Sequence, residues 1–280
     1  MTATAPQTGY APVNGLQMYY EVHGAGEGAP LVLVHGAFSA IGTSFGGLLP
    51  GLAQGRRVIA VELQGHGRTA DIDRPMTLEA LADDVVALLR YLNVQRADLF
   101  GYSMGGGVVL RVAVRHPEVV RKLVLASVGY TLDGLHPGLM EGLGEMKPEM
   151  MYGSPWHEEY VRISPHPDGF DALFAKKSAM DRTIEDLAPE TLQAIAAPTL
   201  TVVGDADIVR PEHAVAMFRL FGGGVVGDLV GIPRAQLAVL PGTSHTGVAE
   251  RAAWLTSMVP AFLDAPGPAP TPAPAGAASA

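Results

Sequence analysis

The stretch "DLFGYSMGGGVVLRVAVRHP", residues 98–117, begins apolar, breaks into glycines and resumes as an apolar helical pattern ending at His116-Pro117. Ser103 stands between Gly101 and Gly105, where a strand gives way to a helix. A plain connection would accept many residues there. The string G-x-S-x-G alone is weak, because a chain of this composition offers roughly 0.15 chance occurrences. The setting strengthens it: strand, sharp turn, helix is the context in which a serine sits on a strained backbone with its hydroxyl exposed. Side chains two residues to either side would collide, which accounts for Gly101 and Gly105. Glycines at 105–107 cost helix propensity, up to about 1 kcal/mol each. Gly106 and Gly107 are read as letting the helix approach the sheet. Ser103 is read as a nucleophile.

A serine hydroxyl is a poor nucleophile at neutral pH, so it needs a base, and the base needs an orienting acid. His245, in "LPGTSHTG", lies just past the last expected strand in a loop of Gly, Ser and Thr. For the acid, "VVGDADIVRPEH" offers Asp205 and Asp207 directly after a buried strand. Both also suit a turn, since aspartate bonds readily to nearby amides. The chain order Ser, Asp, His is met by either one.

Around these residues, short β-branched runs alternate with helical patterns, which predicts a mainly parallel sheet covered on both faces. Strands are expected at 16–24 (antiparallel, at an edge), 30–36, 56–67, 97–101, 121–127, 198–205 and 235–242. A helix is expected over 77–93, with Thr77 as N-cap, and another over 249–264, bent or broken by Pro260. The rhythm fails between about residues 129 and 195. That segment carries Met140, Met146, Met150, Met151 and Met180, five of the 11 methionines, together with Tyr152, Trp156, Tyr160, Phe170 and Phe174. It reads as a helical subdomain with its own small core, a reading compatible with a lid whose pliable side chains form an apolar pocket.

Taken together, "LVLVHGAF", "GHGRT", "GYSMGGG", "GDADIV" and "PGTSH" resemble the α/β-hydrolase superfamily over roughly residues 12 to 264. The resemblance implies an α/β-hydrolase fold: a mostly parallel central sheet, helices on both faces and an inserted helical cap. The core would comprise 1–128 and 196–264, the cap 129–195, and 265–280 a disordered Pro/Ala-rich tail. In similar proteins the second aspartate of a "GDxD" element is the triad acid, which selects Asp207 and leaves Asp205 a structural role. Some relatives place the acid after the preceding strand, which keeps Asp133 in view. The resemblance also implies an oxyanion hole from the amides of Met104 and of Ala37, the residue after the His-Gly pair, with Phe38 the neighbouring candidate. His35 would brace that loop without transferring protons. In "VELQGHGRT" an aspartate commonly precedes "xGHG"; Glu62 stands in that region here, and His66 and Arg68 are read as loop-fixing. Phe38, Tyr102, Met146, Met150 and Trp156 are the expected walls of the substrate pocket.

Composition narrows the partners. Over 280 residues the net charge is −9, with a pI near 5.4 and no basic cluster beyond pairs, which argues against nucleic acid. Without cysteine there are no disulfides and no thiolate chemistry. The nine histidines show no H-E-x-x-H or similar pattern, so no metal is expected, and no cofactor. "FGGGVVGDLVG" (221–231) lacks the GK[ST] ending of a phosphate loop. The N-terminus has no signal-peptide pattern and no run nears the roughly 20 apolar residues of a membrane span, so a cytoplasmic location off the membrane is expected. Oligomeric state is not readable. The expected activity is serine hydrolysis of small to medium apolar carboxylic esters through an acyl-enzyme, rising with pH through the neutral range. A cofactor-free haloperoxidase or perhydrolase, a carbon–carbon bond hydrolase and a non-enzymatic receptor for a small ligand stand as rivals.

Overall fold

A computed structural model describes residues 5–266. Eight strands share one sheet: β1 (Gln7–Val13), β2 (Leu16–His23), β3 (Leu31–Val34), β4 (Val58–Val61), β5 (Ala97–Tyr102), β6 (Val120–Ala126), β7 (Thr199–Ala206) and β8 (Ala235–Ser244). Their spatial order is β1-β2-β4-β3-β5-β6-β7-β8. From β4 through β8 in that order neighbours run parallel, whereas β2 pairs antiparallel with both β1 and β4.

The unbroken apolar runs of the central strands explain this arrangement. Val32 and Val34, Ile59 and Val61, Leu123 and Leu125 enter one core. Leu31 and Leu33, Val58 and Ala60, Val124 and Ala126 enter the other. Successive side chains on a strand point to opposite faces, so a strand apolar at every position must be covered on both. Helices Leu78–Tyr91 and Met104–Arg115 close the first core, Ile41–Phe45 and Ala252–Asp264 the second. Thr77 caps the 78–91 helix, its hydroxyl accepting from the Ala80 amide at 3.0 Å.

The fold departs from the sequence reading in four places. β1 went unread; it forms the edge, so β2 is internal. Asn14 (φ 46°) and Gly15 (φ 88°) make the two-residue turn between them, the Asn-Gly pairing that such hairpins favour. The run 56–67 is strand only at Val58–Val61, and the rest turns back as a loop. The last helix begins at Ala252 and continues through Pro260 to Asp264. Segment 129–195 holds helices Leu139–Glu145, Pro155–Ile163, Phe170–Asp181 and Pro189–Gln193 and no strand. Its Tyr160, Phe170, Leu173, Met180 and Leu192 do not form a separate core, but join the one that contains Leu78 and Met104. Most of the stretch read as a tail lies outside the described residues.

The chain leaves β3 for β4 on one side and later returns to place β5 on the other. Diverging connections open a crevice at the carboxyl ends of those two strands, where ligands of open α/β sheets are received. His35-Gly36-Ala37 follows β3 and Ser103 follows β5.

Candidate active site

Ser103 adopts φ 54°, ψ −121°, in the left-handed half of backbone space that a side chain normally avoids. Its amide is held by the Ala126 carbonyl at 2.9 Å. A Cβ on Gly101 would lie 2.2 Å from the Gly105 carbonyl oxygen, and one on Gly105 would lie 2.0 Å from that of Val34. Both targets are backbone and cannot yield. Gly106 lies against Val128 and Gly107 against Leu78, at 2.8 and 3.2 Å for an added Cβ, so these too serve close packing.

Ser103 Oγ lies 2.9 Å from His245 Nε2, and His245 Nδ1 lies 2.7 Å from Asp207 Oδ1. Asp207 is 3% exposed. Its Oδ2 accepts from the Ser127 hydroxyl at 2.6 Å and the Gly204 amide at 3.3 Å, and Oδ1 also accepts from the Val209 amide at 3.3 Å. Burial pushes this carboxyl up, but the hydrogen bond and charge of His245, the Ser127 hydroxyl and the Val209 amide pull harder, leaving it below the usual carboxylate range. An ionised Asp207 fixes the tautomer: Nδ1–H donates to it, and the Nε2 lone pair receives the Ser103 hydroxyl.

The two aspartates of "GDAD" divide the work. Asp205 is exposed and accepts the amides of Gly242 and Thr243, each at 3.0 Å, fastening the loop that leads to His245. Asp133 sits exposed on the turn Leu132–Gly134, bonded to Thr131, and does not reach His245. Tyr102 donates its hydroxyl to the His245 carbonyl at 2.9 Å while its ring stacks on the imidazole at 5.5 Å.

Above Ser103 opens a cavity of about 170 Å³, walled by Ala37, Met104, Leu110, Val128, Met140 and Met180 among others. The amides of Ala37 and Met104 border it, and neither meets a protein acceptor among the described residues. Of the walls expected from sequence, none lines this cavity. Phe38, at φ 58°, stacks on Phe174 at 5.3 Å and packs beside the cavity. Tyr102 lies beneath His245. Met146 ends the Leu139–Glu145 helix, Met150 lies on the turn Pro148–Met151 and is 70% exposed, and Trp156 begins the Pro155–Ile163 helix. Composition marked the correct segment; the cavity instead draws Met140 and Met180, together with Leu143 and Ile184, from elsewhere in it.

Buried polar groups hold the loops in place. His35 donates through Nδ1 to the Gly36 carbonyl at 2.7 Å and accepts the Leu63 amide on Nε2 at 3.0 Å. Burial, with His66 beside it, lowers its pKa to about 3, so it stays neutral. Glu62 accepts from the Arg68 amide (2.5 Å), the Arg68 guanidinium (2.8 Å) and the Ile41 amide (3.4 Å), joining the loops after β3 and β4. Sequence reasoning missed Ser127, the partner of Asp207, and His213, which accepts the Tyr130 amide at 3.1 Å where the inserted segment begins. The available signal for Ser127 was a lone polar residue closing the run "RKLVLAS". Among the described residues, no three His, Asp or Glu side chains converge as metal ligands, and no helix is long and apolar enough to cross a membrane.

Comparison with known proteins places this geometry among relatives. The family model described as alpha/beta hydrolase fold matches residues 29–195. A 2-hydroxymuconate semialdehyde hydrolase of Pseudomonas sp. is 28% identical, over 86% of this chain and 89% of its own. The dihydrolipoyllysine-residue acetyltransferase component of the acetoin cleaving system of Pseudomonas putida is 32% identical, over 93% of this chain and 70% of its own. Among solved structures, a meta-cleavage product hydrolase from Pseudomonas fluorescens superposes with a TM-score of 0.72 at 22% identity, covering 93% of this chain and 97% of that one.

Proposed function

The chain belongs to the α/β hydrolase fold family, and on that premise we propose that it is a serine hydrolase acting on neutral carboxylic esters. One observation carries the reading: the unbroken relay from Ser103 Oγ through His245 to a buried, ionised Asp207. Ser103 Oγ attacks the carbonyl carbon as its proton passes to His245 Nε2, and the imidazolium is stabilised by Asp207. The oxyanion so formed is received by the amides of Ala37 and Met104, each such donor worth on the order of 3 kcal/mol in the barrier. Collapse breaks the bond to the alcohol oxygen, which takes the proton back from His245. A water, deprotonated by the same nitrogen, then frees the acid and restores the serine.

The charges around the cavity support a neutral substrate. Its two basic walls are already engaged: Arg111 pairs with Glu79 at 2.8 Å and Lys177 pairs with Asp181 at 2.5 Å. Three acidic side chains, Asp181, Glu185 and Asp186, also border it. An anionic substrate would meet net negative walls. Cleavage of carbon–carbon bonds is the second reading, favoured by the 28%-identical hydrolase, whose named substrate is a muconate derivative. Turnover of p-nitrophenyl butyrate alongside a vinylogous diketone acid, with Ser103→Ala as blank, separates them. Butyrate hydrolysis lost in the variant supports the ester reading; hydrolysis that survives in Ser103→Ala overturns it.

A further inference from the structure

Five side chains that wall the cavity above Ser103 also wall a second one: Leu78, Arg111, Met180, Ile184 and Glu185. The second cavity, about 230 Å³, is completed by Thr77, Glu79 and Thr183. The two spaces therefore share a partition built from these five residues. By the same measure the first holds about 170 Å³, so joining them more than doubles the room available to a substrate.

The partition has a fixed half and a yielding half. Arg111 is held at both ends, by Glu79 at 2.8 Å and by the Glu185 carbonyl at 2.6 Å. Met180, the yielding wall, is an unbranched side chain with several rotatable bonds that reshapes at little cost. Ile184 lies beyond the end of the Phe170–Asp181 helix, on the segment that leads to Pro189.

We infer that this second cavity is a subsite for the far end of an unbranched acyl chain, admitted between Met180, Ile184 and Leu78. The inference rests on the ester reading above and names the substrate class within it: medium-chain acyl esters with an uncharged terminus. The acyl arm is assigned because the leaving oxygen must face His245, which returns its proton. Arg111, eight residues along the helix from Ser103, stands about 12 Å farther on at 1.5 Å per residue. Leu78, Met180 and Ile184 suit methylenes, Thr77, Glu79 and Thr183 are already hydrogen-bonded, and the Glu185 carboxylate on the same wall would repel an anionic chain end.

The test sets Ile184→Trp, which fills the partition, against Ile184→Ala, which opens it. The wild type, on p-nitrophenyl acetate, butyrate, octanoate and dodecanoate, should gain up to about fourfold in kcat/KM per buried methylene through octanoate. Ile184→Trp should lower the octanoate-to-acetate ratio of kcat/KM at least tenfold, whereas Ile184→Ala should raise the dodecanoate-to-acetate ratio severalfold. Calorimetric binding of the corresponding methyl esters to Ser103→Ala reads the same chain-length profile without turnover. If wild type hydrolyses no ester yet that binding profile is clipped by Ile184→Trp, the ester reading falls and the subsite stands. A tryptophan that weakens all chain lengths equally, or none, overturns the subsite.

Discussion

The elbow around Ser103 and the inserted segment around Met180 both face the same cavity, yet they are built on opposite terms. At the elbow, backbone meets backbone: carbonyl oxygens of Val34 and Gly105 occupy the space where a Cβ on Gly105 or Gly101 would go. In the insert, side chain meets side chain: Phe170 and Phe174 pack on Phe38, and Met140 and Met180 wall the cavity. Backbone contacts admit one residue type. Side-chain contacts admit many of similar volume at a modest cost. The Ser103 elbow is thus lodged where the chain cannot drift, and much of the cavity wall where it can.

The largest expected effect tests the rigid half. Ser103→Ala should lower kcat by roughly 10⁴ to 10⁶ with the circular dichroism spectrum unchanged, and Asp207→Asn by about 10⁴ through loss of the imidazole tautomer. Comparable losses from Met180→Ala would erase the contrast. Gly105→Ala should next cost about 3 kcal/mol or more in urea unfolding, since neither the Val34 nor the His35 carbonyl can retreat. Met180→Ala should cost about 2 kcal/mol, as for other buried methionines, while labelling by a fluorophosphonate probe stays within severalfold of wild type.

Titration sharpens the same distinction. His35 and His66, both fully buried, have pKa values lowered by burial to about 3 and about 4. Their stability is intact above the ordinary histidine value and is lost as pH falls below about 6.5, because the unfolded chain takes up protons first. At pH 5.5 each costs about 1 kcal/mol. Glu62 runs the other way: burial raises it to about 7 against the pull of Arg68, so its contribution is lost as pH rises through 7 and regained on acidification. Thermal unfolding should therefore show a shallow loss of Tm below pH 6.5, made steeper by Glu62→Gln. A slope unchanged in that variant would show that Glu62 does not oppose the histidines. The smallest effect is a gain: Ser103→Gly, inactive, should be more stable by about 1 kcal/mol, the strain of φ 54° having been relieved.

What could be read from sequence follows the same line. Ser103, Asp207 and His245 were legible because each ends a strand in a short, punctuated run, and strand ends converge in a parallel sheet. The choice of Asp207 over Asp205 came from likeness to other chains, not from the residues themselves; in space only Asp207 turns inward. β1 escaped notice because "QTGYAP" mixes glycine and proline with exposed residues, and only its pairing with β2 makes it a strand. The pocket walls were misassigned for a deeper reason. Methionine and aromatic content marks an apolar segment, but whether Met150 faces water or Met180 faces the cavity depends on how helices pack across long sequence separations.

Tyr102 ties two distant parts of the chain into one body. Its hydroxyl grips the His245 carbonyl across 143 positions, yet its own backbone is bonded directly to that of the nucleophile. That hydrogen bond fastens the backbone of the base to the residue next to the nucleophile, so the two reacting groups share one anchor. The proton's path is in this way fixed from the sheet side, apart from the inserted segment that roofs the cavity.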